Sequence, residues 1–131
     1  MKRIYFAVLT FLLLIGAISV YAQEAENIAS GIQIVDAKLG KDVKERTLID
    51  ESTTFDLNSK MFLWLKVKGG VEQTITVIWK HGDMVHATEL NIGGSPWRTW
   101  ASKTAYSAGD WLVTVTDNTG KVLKEISFKV Q

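Results

Sequence analysis

Residues 74–92 read TITVIWKHGDMVHATELNI, and this stretch decides the fold. The apolar residues of its first half fall at odd positions: Ile75, Val77 and Trp79. The apolar residues of its second half fall at even positions: Met84, Leu90 and Ile92. A period of two predicts a pair of β-strands, each with one buried face.

The two halves predict an antiparallel hairpin with a defined register. Directly opposed residues of antiparallel strands point to the same face, so each buried odd residue must pair with an even one. A two-residue loop at His81-Gly82 or at Gly82-Asp83 meets this condition, and tight hairpins favour loops of that length. His86 is then predicted to lie on the same face as Trp79.

The same strand signature recurs along the chain, where runs rich in Val, Ile, Thr and Trp are separated by turn residues. The predicted strands are 32–39, 61–67, 74–79, 84–92, 97–102, 111–116 and 122–130. The sequence leaves two alternatives for residues 42–51, a strand with a bend or one short helical turn. Short strands at spacings of about 8 to 12 residues favour an all-β fold, a single antiparallel sandwich of about seven strands.

The predicted core takes its side chains from four of these strands: Ile75, Val77, Trp79, Leu90, Trp111, Val113, Val115 and Phe128. The last hairpin is predicted to turn at residues 117–120, where Gly120 can adopt the left-handed conformation of a bulged turn. Leu123 and the later apolar residues Ile126 and Phe128 differ in phase, which predicts a bulge near Lys124 or Glu125.

The N-terminal segment has the features of an export signal. Lys2 and Arg3 precede an almost wholly apolar run over residues 4–20, and Ala22 ends a cleavage pattern. We predict a signal peptide at 1–22, a flexible leader at 23–30 and one folded domain at 31–131, placed in the periplasm or secreted. An uncleaved membrane anchor is the alternative, because about 17 to 20 apolar residues can span a bilayer.

The composition excludes several functional classes. Without Lys2 and Arg3, the 15 basic residues fall to 13 against 14 acidic ones, so the mature chain carries a formal charge of −1. Nucleic acid is therefore not an expected partner, because its binding proteins present a clustered basic surface. The chain has no cysteine, which removes disulfides, thiolate nucleophiles and zinc-thiolate sites.

A second run of sequence carries a family resemblance. Residues 95–103 read SPWRTWASK, and they are followed by Gly109-Asp110-Trp111, by the turn at 117–120 and by Phe128-Lys129-Val130. This pattern resembles the bacterial domain-of-unknown-function family 2914.

The resemblance extends upstream through Trp79 and Phe55, and covers the chain from Ile32 to its end. It implies a small Ig-like β-sandwich that is exported or associated with the cell envelope, and it implies no activity. Members commonly carry a histidine two residues before the strand tryptophan, whereas Val77 stands at that position here.

The Trp97–Trp100 segment is the leading candidate for a binding site. Residues three apart on a strand point to opposite faces, so one of the two tryptophans is expected at the surface. Arg98 and Trp100 share a face, where a guanidinium beside an indole offers a flat cationic and aromatic surface, with Lys103 nearby. Two interpretations stay open: Trp100 packs under the loop at 103–108 while Arg98 anchors a loop, or the segment binds a partner.

Strand 61–67 raises the same question, because it is apolar on both faces. Its odd residues form one apolar face, and Phe62, Trp64 and Lys66 form the other. The second face is either covered by residues 42–55 or exposed as a platform for a sugar or a peptide.

Neither a metal site nor a catalytic site is expected. The candidate metal ligands surround the first hairpin, yet its register sends His86 and Glu89 to opposite faces. Neither histidine has the context of a catalytic triad, and the glycine pairs lack the helix and lysine of a phosphate-binding loop.

We therefore expect a non-catalytic interaction module of the bacterial cell envelope, without a cofactor. It is expected to bind an envelope protein or a polysaccharide through Arg98, Trp100 and Lys103. The alternative is a carbohydrate-binding domain that uses exposed Trp64 and Trp100. Contact with a membrane is expected only if residues 1–22 are retained.

Overall fold

In a computed structural model of the protein, residues 31–131 are described, and most of them lie in β-strands. The predicted signal peptide and leader lie outside these residues. The strands are β1 (Gln33–Lys44), β2 (Thr47–Glu51), β3 (Thr54–Phe55), β4 (Lys60–Lys68), β5 (Thr74–His81), β6 (Met84–Asn91), β7 (Trp97–Thr104), β8 (Gly109–Thr116) and β9 (Val122–Val130). This part of the chain contains no helix of the length and apolarity needed to cross a membrane.

The all-β prediction is confirmed, whereas the predicted number of strands was too low. All seven predicted strands are present, and β2 and β3 are additional, which makes nine strands over residues 31–131. The strands form two sheets, one with the order β2-β1-β4-β7 and one with the order β3-β9-β8-β5-β6. Neighbouring strands are antiparallel, apart from the short parallel pair β3 and β9.

Buried apolar side chains from both sheets form one hydrophobic core. We call the face of each sheet that carries these residues the inner face and the opposite one the outer face. Seven of the eight predicted core residues are buried, and Leu90 is partly buried against the core. Leu90 lies on β6, which ends its sheet and therefore has a neighbouring strand on one side alone.

The predicted register of the first hairpin is confirmed. His81 pairs with Met84 across a Gly82-Asp83 loop, and Gly82 has a positive φ of 55°. Trp79 pairs with His86, as the odd-to-even rule required. His86 is nevertheless exposed, because it lies on the edge strand β6.

Residues 42–51 form a second tight hairpin, so the helical-turn alternative is wrong. β1 continues to Lys44, which pairs with Thr47 of β2. The two loop residues Glu45 and Arg46 both have positive φ, 51° and 61°. This is the conformation of a type I′ turn, whose twist matches that of the flanking strands.

The last hairpin has the predicted turn and a bulge close to the predicted position. Gly120 has a φ of 89°, and the buried Asp117 organises the turn. Its Oδ1 accepts hydrogen bonds from the backbone N–H groups of Thr119 (2.9 Å) and Lys121 (3.0 Å). The pairs Val115–Lys124 and Thr116–Val122 leave Leu123 as the extra residue, one position before the predicted bulge.

Two core tryptophans provide a matched test of this packing. Both are buried, but Trp111 Nε1 donates a hydrogen bond to the carbonyl of Ser107 at 2.9 Å, whereas Trp79 Nε1 has no partner among residues 31–131. We expect Trp111→Phe to lower the free energy of unfolding by about 1 kcal/mol more than Trp79→Phe, because it alone breaks a buried hydrogen bond. Urea unfolding of the two variants measures the difference, and equal losses would contradict it.

Candidate binding surface

The pairing of β4 with β7 brings three of the four predicted site residues together. Trp64 lies directly opposite Trp100, and Lys66 lies opposite Arg98. The residues of β4 that alternate with Trp64 and Lys66, namely Leu63, Leu65 and Val67, are completely buried on the inner face. Alternation therefore places Trp64, Arg98 and Trp100 on the outer face, where opposed Cβ atoms are about 4.5 to 5.5 Å apart.

Trp97 and Trp100 point to opposite faces, as predicted. Trp97 lies opposite the buried Val67 and packs partly buried against the core. Trp100 retains 37% of its accessible surface. Arg98 is exposed, and its side chain forms no hydrogen bond or ion pair with any residue of the described range. The interpretation in which Arg98 anchors a loop and Trp100 is packed away does not match this geometry.

The β1–β2 hairpin covers Trp64, which was the first of the two alternatives for this face. Trp64 Nε1 donates a hydrogen bond to the backbone carbonyl of Arg46 at 2.9 Å, and the indole is half-buried. Gly40 allows this close packing, because a Cβ there would lie 2.6 Å from Cδ1 of Leu48. Trp64 therefore supports the hairpin with its N–H group and offers part of its ring to solvent.

Lys103 does not join the other predicted site residues. It lies opposite the buried Met61, three positions after Trp100, so its register is that of the inner face. The side chain is half-buried, and Nζ lies 5.3 Å from the ring centroid of Tyr106. Lys103 thus packs at the start of the β7–β8 loop, away from the surface of Arg98 and Trp100.

Two further basic residues reach the same surface as Arg98. Arg46, Lys66 and Arg98 line a cleft of about 330 Å³ together with Pro96 and Trp97. The Arg46 guanidinium lies 5.6 Å from the Trp97 ring centroid. Lys66 could have been found from the alternation of β4. Arg46 could not, because its position depends on how the β1–β2 hairpin folds over the sheet.

The charges along this cleft are of one sign. The acidic residue in register with Lys66 is Asp36, and its Oδ2 is engaged with Nζ of Lys38 at 3.4 Å. Within residues 31–131, Arg46, Lys66 and Arg98 make no ion pair. The cleft is thus cationic and lies near an exposed indole, although the mature chain as a whole is predicted to be close to neutral.

A second feature missed by the sequence analysis ties the β5–β6 hairpin to the β7–β8 loop. His81 Nδ1 lies 2.9 Å from the carbonyl oxygen of Asp110, and Nε2 lies 3.1 Å from Ser107 Oγ. Since a carbonyl can only accept, Nδ1 carries the proton, and in the neutral ring Nε2 accepts from the Ser107 hydroxyl. The ring also stacks on Trp111 at a centroid distance of 4.9 Å.

A serine beside a histidine can act as a nucleophile with its base. The same contacts also fasten the loop, since both ring nitrogens and one ring face of His81 are engaged, and the Ser107 carbonyl accepts from Trp111. No group of three or more His, Asp or Glu side chains within residues 31–131 is arranged to hold a metal ion.

This fastening predicts a difference between the two histidines. We expect His81→Ala to lower the free energy of unfolding by about 1 to 3 kcal/mol, because it removes two hydrogen bonds and an aromatic stack. The exposed His86 is the control, and His86→Ala should change stability by less than about 0.5 kcal/mol. Thermal or urea unfolding compares them, and similar losses would show that the His81 contacts contribute little.

Comparison with known proteins bears on one part of the chain. No curated protein matches the chain. The model of the family described as "Protein of unknown function (DUF2914)" matches residues 72–130, which span β5 to β9 and include Arg98 and Trp100. Arg46, Trp64 and Lys66 lie outside the matched segment. The resemblance predicted from the sequence is thus confirmed over residues 72–130, where the chain matches the DUF2914 model.

Proposed function

We propose that the protein is a non-catalytic interaction module of the bacterial cell envelope, which binds a protein or an envelope polymer through the outer face of its four-stranded sheet. The observation that carries this proposal is the exposed indole of Trp100, held in register beside Trp64 and two residues from the unpaired Arg98. Tryptophan and arginine are the residues most enriched at the energetic centres of protein interfaces.

The proposal includes export through the signal peptide at 1–22 and an Ig-like sandwich as the finer description of the fold. Two mainly antiparallel sheets that share one hydrophobic core support the sandwich. A sandwich supplies a rigid platform, because each strand of a face is fixed by its neighbours. It does not by itself specify a partner, since this architecture serves many unrelated functions.

Carbohydrate recognition on tryptophan rings is the second candidate. Trp64 and Trp100 are direct cross-strand neighbours, which supports a shared aromatic surface. The hairpin covers part of Trp64, so Trp100 is the ring more available for stacking. Sugar binding without any protein partner would change tryptophan fluorescence, and the change should be lost in Trp100→Phe.

Site-specific photo-crosslinking tests the interaction module. We expect a benzoylphenylalanine at position 100, in the native host, to yield a discrete adduct that mass spectrometry identifies. Position 85 is the matched control, because Val85 is 60% exposed on β6 of the other sheet. Adducts that are the same at both positions, or none at position 100 in a folded and exported variant, would contradict a protein partner at this surface.

A further inference from the structure

We propose that the cleft between Arg46, Lys66 and Arg98 binds the acidic group of an anionic polysaccharide, while a sugar ring of the same chain stacks on Trp100. This inference rests on the proposed binding role of the outer face, and it names the class of ligand. The three basic residues come from three different elements, the β1–β2 turn, β4 and β7, and converge on one cleft of about 330 Å³.

The electrostatics of the cleft favour an oxyanion. Three positive charges surround one concavity, and no carboxylate within residues 31–131 forms an ion pair with any of them. Like charges held close together repel one another, and a bound anion relieves that repulsion. Two of the three residues are arginines, whose planar guanidinium groups match carboxylate, sulfate and phosphate oxygens in pairs of hydrogen bonds.

The backbone of Arg46 provides a second, independent observation. Its φ of 61° is a conformation that glycine adopts most readily, and Asn-Gly is the preferred pair for such a turn. The side chain present here instead extends over the ring of Trp97, at 5.6 Å, and lines the cleft. The turn therefore holds an arginine where glycine is the ordinary residue, and this arginine places a cation at the cleft.

The surroundings of the cleft favour a polysaccharide over a protein. The centre of a protein interface is usually a contiguous apolar patch. Trp100 is the one exposed large apolar side chain of β4 and β7. Its cross-strand neighbour Trp64 is partly covered by the β1–β2 hairpin, and the charged Arg98 lies two residues along the same strand. Arg98 and Trp100 are about 7 Å apart along β7, since each strand residue advances about 3.3 Å. An acidic substituent and a sugar ring of one polymer can occupy both positions.

Binding of defined polymers to the folded, mature chain tests this assignment. The probes are polygalacturonate and dextran sulfate, with neutral dextran and sodium polyphosphate for comparison, measured by calorimetry or biolayer interferometry. We expect both acidic polysaccharides to bind and neutral dextran not to bind. We also expect the affinity to fall as salt is raised, because exposed charges are screened over about 10 Å at 0.1 M salt.

Three substitutions separate the parts of the site. Arg98→Ala and Arg46→Gly should each weaken the binding of acidic polysaccharides at least tenfold. Arg46→Gly should keep or raise the melting temperature, since glycine adopts the positive φ of position 46 without strain. Trp100→Ala should weaken the binding of acidic polysaccharides several-fold and leave the binding of polyphosphate unchanged. Lys80→Gln is the control, because Lys80 is an exposed strand lysine on the outer face of the other sheet; it should bind as the unaltered chain does.

Several outcomes would overturn the inference. One is the absence of acidic-polysaccharide binding, and another is an equal loss in Lys80→Gln and Arg98→Ala, which would indicate unspecific attraction. A third is acidic-polysaccharide binding that is insensitive to Trp100→Ala, which would show that no sugar ring stacks on Trp100. A protein adduct at position 100 without polysaccharide binding would overturn this inference alone. The absence of both would overturn the proposed function as well.

Discussion

The burial of every second residue of β4 is the constraint on which the proposed binding surface depends. Met61, Leu63, Leu65 and Val67 have no accessible surface, and burying apolar area contributes about 25 cal/mol per Å². A register slip of one residue would expose this whole row and bury Phe62, Trp64 and Lys66 in its place. The core therefore holds Trp64 and Lys66 on the outer face, and the pairing with β7 sets Trp100 and Arg98 beside them.

The β1–β2 hairpin folds over this face and forms one side of the cleft. Its type I′ turn brings the backbone of Arg46 to the indole N–H of Trp64 and the Arg46 side chain to the rim of the cleft. A sheet alone would present its charges in rows. The hairpin adds a wall, so that cations from separate parts of the chain face one concave space. The DUF2914 match covers Arg98 and Trp100 but not this wall.

The polar side chains of His81 and Arg98 differ in their contacts within the fold. The β7–β8 loop is fastened by His81, whose two ring nitrogens meet Ser107 and the Asp110 carbonyl. Arg98 on the neighbouring strand is left without a partner in the described chain. Polar groups that stabilise a fold are normally satisfied within it. The exposed Arg98 side chain makes no such contact among residues 31–131, in keeping with the binding role proposed for it.

Sequence reasoning succeeded where the pattern is local. Parity and the preference for two-residue loops narrowed the β5–β6 hairpin to two possible loops, of which Gly82-Asp83 is the one observed, because side chains alternate with a period of two. The bulge at Leu123 was placed one residue late, because a phase change shows that an extra residue exists without showing which one leaves the ladder. Lys103 was grouped with Trp100 by nearness in sequence, although three residues along a strand place it on the other face.

The amino-acid sequence by itself determined the all-β class, seven of the strands, the opposite faces of Trp97 and Trp100, and the resemblance to DUF2914 over residues 72–130. These follow from alternation and turn residues, which act over a few positions. Only the tertiary structure decided that residues 42–51 form a hairpin, that this hairpin covers Trp64, and that Arg46 joins Lys66 and Arg98. Such contacts join residues far apart in the chain, and they depend on how the sheets twist and how the hairpin packs, which no local pattern records.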